Sequence, residues 1–328
     1  MLFDWVRLAG VLARLRDLRG EDDRRCFVEQ DRPTDHSWRF DRFVPKKSSK
    51  KSSGAALLLL HGWTLQGKDD GRLQAFARAL AGAGIECVVP NIPGLAELAF
   101  EQDDVVGLRW FLEHEARPLG VMGFSFGGSY AMLAASGCAQ QPRFILTVSA
   151  CGDLPATYRR SLDGGTQVPA DPTARESWIF QKLAMAWRQR TTVGLPAAVQ
   201  EELRKLLMTF CEGSQAEASC DFWTRSLSHV DWVAAENRQQ DLAVLSALSP
   251  SVNPPRLRCP VVILHDKNDG GVWPCEANTL ADAVRRGSPE IRVDLMVTDL
   301  LQHVRPDLIW RPGELLRLFR LLTPLVRR

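Results

Sequence analysis

A serine flanked by glycines is the residue of this sequence best placed to do chemistry. Ser125 lies in the segment GFSFGG at 123–128, between an apolar run at 118–125 and a run of small and apolar residues at 127–136. A strand that turns sharply into a helix at such a serine presents the hydroxyl at the edge of the sheet, and flanking glycines let strand and helix approach. The pattern predicts a nucleophilic serine, with the N–H of Phe126 as a donor to an oxyanion.

A serine hydroxyl needs a neighbouring base to take its proton, and histidine is the usual one. Of the six histidines, only His303 follows the last predicted strand and precedes the C-terminal helix, in LQHVRPD at 301–307. That position fits a base in a site whose order along the chain is serine, acid, histidine. A carboxylate must hold the imidazole. Three aspartates at or after the ends of predicted strands are candidates for it: Asp153, Asp266 and Asp269.

Strands and helices alternate along most of the chain and must position these residues. Apolar runs predict strands that are covered on one or both faces, at 38–44, 55–60, 85–90, 118–125, 143–150, 258–266 and 291–297. Helical spacing predicts helices at 71–84, 103–116, 127–136, 275–286 and 313–326. Such alternation implies right-handed crossovers and a largely parallel sheet.

The alternation stops between Asp153 and Pro255. Here the spacing predicts helical stretches, among them 175–190, 197–210 and 222–245, but no strand. Three regions are therefore predicted: an N-terminal amphipathic helix with leading strands at 1–54, an α/β core at 55–152 and 256–328, and a helical insertion at 153–255.

Four segments together resemble the α/β-hydrolase family: LLLLHGW at 57–63, GFSFGG at 123–128, HDKNDGGVWP at 265–274 and LQHVRPD at 301–307. The resemblance covers about 55–326. It implies a mostly parallel central sheet flanked by helices, with the insertion as a lid over the site.

The resemblance also assigns roles to individual residues of the proposed triad. The aspartate that orients His303 is expected at Asp269, whereas Asp153 is the position used by a minority of the family. Asp266 is the neighbour that competes with Asp269, or it holds the loop by accepting backbone N–H groups.

The His-Gly pair at 61–62 follows the strand predicted at 55–60. It resembles the pair that follows the third strand of the family and opens its oxyanion loop. The resemblance makes the N–H of Trp63 the second donor beside Phe126 and gives His61 a structural role. The segment HGW lacks the triple glycine of some lipases and esterases. Thr64 is therefore an alternative donor.

Composition restricts partners and compartment. The 41 basic and 39 acidic residues leave a net charge of +2, so no global field attracts nucleic acid. The eight cysteines include no C-x-x-C pair, and Cys87 and Cys259 lie in apolar runs, which is typical of buried thiols in a reducing compartment. No run approaches the roughly 18 apolar residues of a membrane span, and the N-terminus is a poor secretory signal. The expected location is the cytoplasm.

The basic amphipathic helix predicted at 1–20 covers the core or contacts a membrane surface or a partner.

The sequence thus predicts a serine hydrolase that cleaves a carboxylic ester or thioester through an acyl-enzyme on Ser125. Aromatic residues in the insertion favour a hydrophobic acyl group, and no cofactor or metal is implied. An aminopeptidase or amidase, or an acyltransferase, would use the same residues. A non-catalytic protein of the same fold that binds a small molecule or a partner is the alternative of another class. The sequence leaves the oligomeric state open.

Overall fold

The computed structural model describes residues 26–30, 38–45, 56–82, 85–114, 118–163, 172–210, 216–228, 230, 235–299 and 317. The helix predicted at 1–20 and the predicted base His303 lie outside the described residues, and of the helix predicted at 313–326 only Arg317 is described, as helical.

Eight strands of the described chain hydrogen-bond into one sheet in the order β1-β2-β4-β3-β5-β6-β7-β8. Their bounds are β1 Cys26–Gln30, β2 Phe40–Pro45, β3 Ala56–Leu60, β4 Cys87–Pro90, β5 Pro118–Phe124, β6 Ile145–Val148, β7 Val261–Asp266 and β8 Val293–Thr298. β2 pairs antiparallel with both β1 and β4, and every other pairing is parallel. The parallel part follows from the alternation of strand and helix, because each crossover returns the chain to the same edge of the sheet.

Helices connect these strands. Those of the core are α1 Gly71–Gly82, α2 Pro93–Ala96, α3 Gln102–His114, α4 Phe126–Ser136 and α10 Cys275–Gly287. Between β6 and β7 lie α5 Leu154–Asp163, α6 Pro172–Gln189, α7 Ala197–Thr209, α8 Ala216–Phe222 and α9 Ala235–Ala247. The described residues between β6 and β7 contain no strand. We call this part of the chain the helical segment.

The sheet is buried on both faces. Leu58 and Leu60 of β3 belong to a core cluster with α3, α4 and α10, whereas Leu57 and Leu59 belong to a cluster with α1. Successive side chains of a strand point to opposite faces. A run of four leucines is therefore what a central strand with both faces covered requires.

The helical segment has an apolar cluster of its own. It includes Ile179, Leu183 and Leu203, none of which is exposed. Trp63, which follows β3, packs against both this cluster and the core cluster of α3, α4 and α10. The helical segment therefore reaches the carboxyl edge of the sheet at Trp63.

The helical stretch predicted over 222–245 is interrupted by a turn at Ser228 and a bend at Val230. α8 ends at Phe222, and a π-helical turn follows at Trp223–Leu227, in which Ser228 N–H donates to Trp223 O at 2.8 Å. Trp223 and Leu227 are both buried in the apolar cluster of the helical segment. Packing of these two side chains accompanies the local change from an α-helical to a π-helical turn, which a helical spacing pattern does not distinguish.

Cys87 and Cys259 are buried, as their apolar surroundings indicated. No helix within the described ranges combines the length and apolar character needed to cross a bilayer.

Candidate active site

Ser125 occupies the turn between β5 and α4 in a strained conformation. Its φ is 50° and its ψ is −128°, a region that costs an L-residue free energy unless the surroundings enforce it. Its N–H donates to Val148 O at 2.9 Å, and its carbonyl accepts from Gly128 N–H at 2.9 Å. The side chain remains half-buried at the carboxyl edge of the sheet.

Close approach of backbone explains the glycines around this serine. A Cβ on Gly127 would lie 2.2 Å from His61 O, and one on Gly123 would lie 2.5 Å from the Cα of Gly128. A Cβ on Gly62 would lie 3.0 Å from the Cβ of Ser125. The loop after β3, the end of β5 and the start of α4 therefore meet at one point, where side chains do not fit.

The ring of His61, in the loop after β3, is hydrogen-bonded through both nitrogens, one of them to the segment after β4. Ile92 N–H donates to Nε2 at 2.8 Å, which leaves the ring hydrogen on Nδ1, 2.7 Å from Gly62 O. The side chain is buried, and burial lowers its pKa to about 4. These contacts fit the structural role that the resemblance gave to His61.

The two predicted oxyanion donors belong to residues next to Ser125 and next to the glycine that contacts it. Phe126 is the first residue of α4, and Trp63 follows the glycine that packs against the serine. Neither the Trp63 nor the Phe126 N–H donates to an acceptor among the described residues. The N–H of Thr64, the alternative donor, is engaged with Leu95 O at 3.3 Å.

The register of the parallel strands places the acid loop at the same edge. Phe124 lies opposite Val148, which lies opposite Leu264. The residues that follow these three, Ser125, Ser149 and His265, therefore form a row across three adjacent strands, which are about 5 Å apart.

Asp269, the predicted acid, lies in the loop after β7 and is 4% exposed. Its Oδ1 accepts from the N–H groups of Gly271 and Val272, both at 2.8 Å. Its Oδ2 lies 3.9 Å from Nε2 of His265, which is fully buried and 2.7 Å from Val272 O. The carboxylate is thus held by its own loop in a fixed orientation.

The other two aspartates have local partners. Asp153 accepts from Ala156 N–H at 2.9 Å through Oδ1, at the start of α5. Asp266 accepts from Asn268 N–H at 2.9 Å, a bond that closes the turn after β7. Both bonds are those expected of aspartates at helix starts and turns.

An aromatic cluster beside the oxyanion positions was not predicted. Phe100 stacks on Trp63 with ring centroids 5.1 Å apart and packs against Phe126 at 5.3 Å. Tyr158 and Arg188 of the helical segment contact the same ring. The only sequence signal for Phe100 was an aromatic residue in the loop after a strand, and nothing local indicated its partners.

The described residues contain no group of three or more histidines, cysteines, aspartates or glutamates that could hold a metal ion.

A family model described as the alpha/beta hydrolase family matches residues 57–309. The match covers most of the chain and agrees with the sheet order and the strand–serine–helix turn, so the chain belongs to the alpha/beta hydrolase family. The predicted fold class, a mostly parallel sheet flanked by helices, is confirmed.

Solved structures resemble the chain at low identity. A membrane phospholipase A, described as a bacterial virulence factor, has 17% identity and a TM-score of 0.49, with 98% of this chain and 92% of that chain covered. An esterase from Pyrococcus furiosus has 14% identity and a TM-score of 0.48, with 95% and 93% covered. EstE5, soaked with p-nitrophenyl butyrate, has 14% identity and a TM-score of 0.49, with 97% and 91% covered. No curated protein matches the chain.

Proposed function

We propose that this protein is a serine hydrolase that cleaves a carboxylic ester or thioester through an acyl-enzyme on Ser125. The observation that carries the proposal is the positive φ of Ser125 between β5 and α4. A strained residue persists only where the surrounding structure enforces it, and such residues concentrate at active sites.

In the proposed mechanism, His303 takes the proton of Ser125 as Oγ attacks the carbonyl carbon. The tetrahedral oxyanion accepts hydrogen bonds from the N–H groups of Trp63 and Phe126. His303 then gives the proton to the leaving alcohol or thiol, and water releases the acyl group by the same steps. Asp269 stabilises the imidazolium and fixes its tautomer. The buried, loop-bound carboxylate supports this role.

The two unengaged N–H groups beside Ser125 support an oxyanion hole. Loss of one such donor typically lowers kcat by about 10²–10³-fold. We further propose that the helical segment is a lid over this site and that the acyl group is hydrophobic. The contact of Trp63 with the apolar cluster of the helical segment supports both points.

Labelling by a fluorophosphonate probe tests the nucleophile. Wild type should be labelled, and peptide mapping should locate the label on Ser125. Ser125→Ala should lose both labelling and ester hydrolysis. Ser136→Ala, at the other end of α4, is the matched control and should keep both. Equal labelling of Ser125→Ala and wild type would contradict the proposal.

A chain-length series of p-nitrophenyl esters, run beside aminoacyl amides, tests the substrate class. Faster hydrolysis of esters with longer acyl chains is the expected result. Preference for the amides would identify an aminopeptidase instead. A wild type that neither turns over substrate nor reacts with the probe would favour the non-catalytic binding protein.

A further inference from the structure

One ring supports the side chains of both proposed oxyanion residues. Phe100, in the loop between α2 and α3, is 2% exposed. Its ring centroid lies 5.1 Å from that of Trp63 and 5.3 Å from that of Phe126, and these two rings are 5.6 Å apart. Each of the three rings therefore packs against the other two. A displacement of Phe100 would change the packing of both donor residues.

Phe100 also contacts two residues of the helical segment. The guanidinium carbon of Arg188, on α6, lies 4.9 Å from the ring centroid. The ring of Tyr158, on α5, packs edge-on at 6.1 Å. Phe100 is thus in contact with both the oxyanion residues and the helical segment.

A buried carboxylate binds Tyr158 and Arg188, the two residues of the helical segment that contact Phe100. Asp241, on α9, accepts from Tyr158 OH at 2.5 Å and from Arg188 Nε at 3.0 Å, and it forms a second bond with Arg188 Nη2. A bidentate arginine–carboxylate pair fixes both the distance and the relative orientation of the two side chains. Asp241 therefore holds α5, α6 and α9 in one arrangement around Phe100.

We infer that Phe100 is a positioning residue of the oxyanion hole, and that the Tyr158–Asp241–Arg188 network holds it there. The helical segment thereby sets the geometry of the two N–H donors. This inference rests on the proposed function. A small displacement of the two N–H donors should have a large effect on the rate, because misplacement of a catalytic group by 1 Å can lower the rate about 100-fold.

The experiment uses the full-length protein and p-nitrophenyl butyrate. Phe100→Leu removes the shared ring, and Phe43→Leu is its matched control. Phe43 is also fully buried and has an arginine, Arg78, over its ring at 5.8 Å, but it lies on β2 in the cluster with α1. kcat, KM and the urea midpoint are measured for each variant.

Phe100→Leu should lower kcat by about 10- to 100-fold and change KM by less than about threefold, because the donors act mainly in the transition state. Phe43→Leu should lose comparable stability while its kcat stays within about twofold of wild type. Equal kcat in wild type and a folded Phe100→Leu, or equal losses in both variants, would overturn the inference.

Asp241→Asn tests the network and serves as a second variant if Phe100→Leu does not fold. Asp41→Asn is its control, since Asp41 is a buried carboxylate paired with Lys68 at 3.1 Å, distant along the chain from the helical segment. Asp241→Asn should lower kcat about tenfold, and Asp41→Asn should leave it within about twofold. The double variant with Phe100→Leu should lose less than the product of the single losses, because both changes act through one ring.

Unchanged kcat in Asp241→Asn, or losses that multiply in the double variant, would overturn the role of the network. The fluorophosphonate probe separates this inference from the proposed function. A wild type without label on Ser125 overturns both. A labelled wild type with an equally fast Phe100→Leu overturns the inference alone.

Discussion

Acid should weaken the loop that carries Trp63, because His61 is buried as the neutral imidazole. Its Nε2 accepts a hydrogen bond from Ile92 N–H. Protonation of Nε2 would turn it into a donor that faces the N–H of Ile92, with no acceptor between them. Burial lowers the pKa of His61 from 6.5 to about 4. Between these pH values the unfolded chain binds a proton that the folded chain does not. Stability is therefore lost as the pH falls through this window.

The size of the effect follows from the two pKa values. The difference between 6.5 and about 4, at 1.36 kcal/mol for each pH unit, amounts to about 3 kcal/mol of unfolding free energy. About 1 kcal/mol of this is lost between pH 7 and pH 5.5, and most of the total is lost by pH 4.

Comparison with His61→Gln isolates this contribution. The glutamine carbonyl can still accept from Ile92 N–H but does not titrate. Urea unfolding of wild type and variant is measured at about pH 7, 5.5 and 4, and the stability difference between them is followed. The advantage of wild type should shrink by about 1 kcal/mol at pH 5.5 and by about 3 kcal/mol at pH 4. A difference that stays constant over this range would refute a buried neutral His61.

Three further substitutions test burial, strain and close packing. Burial raises the pKa of Asp104 to about 6, so Asp104→Asn should gain about 1–2 kcal/mol in urea unfolding at pH 7 and lose that gain as the pH falls towards 4. Ser149 has a φ of 50° and a buried hydroxyl without a hydrogen-bond partner among the described residues. Ser149→Gly should therefore be more stable by about 1 kcal/mol, and a lower urea midpoint would contradict this. Gly127→Ala should lose about 3 kcal/mol or more together with probe labelling, because its Cβ would meet His61 O at 2.2 Å. Gly71→Ala, with no atom within 4 Å of the added Cβ, should behave as wild type.

Local patterns predicted the sheet well because the signal lies in neighbouring residues. Four consecutive leucines at 57–60 are buried on two faces of one strand, as the continuous apolar run indicated. The same reasoning over-extended one helix. Helical spacing over 222–245 does not distinguish an α-helical turn from the π-helical turn that packs Trp223 and Leu227.

Sequence patterns were sufficient to predict the fold class, the turn at Ser125 and the need for glycine at 123 and 127. Each of these depends on residues close along the chain and on the volume of a side chain. Packing of distant segments was needed to know which nitrogen of His61 carries the hydrogen, and from which backbone N–H groups each aspartate accepts hydrogen bonds.

The tertiary structure also brought Phe100 against Arg188 and joined Tyr158 to Asp241, 83 residues further along the chain. No periodicity encodes such contacts. They arise when separate helices pack against the sheet, and a polar group buried there keeps only the partner that the packing supplies.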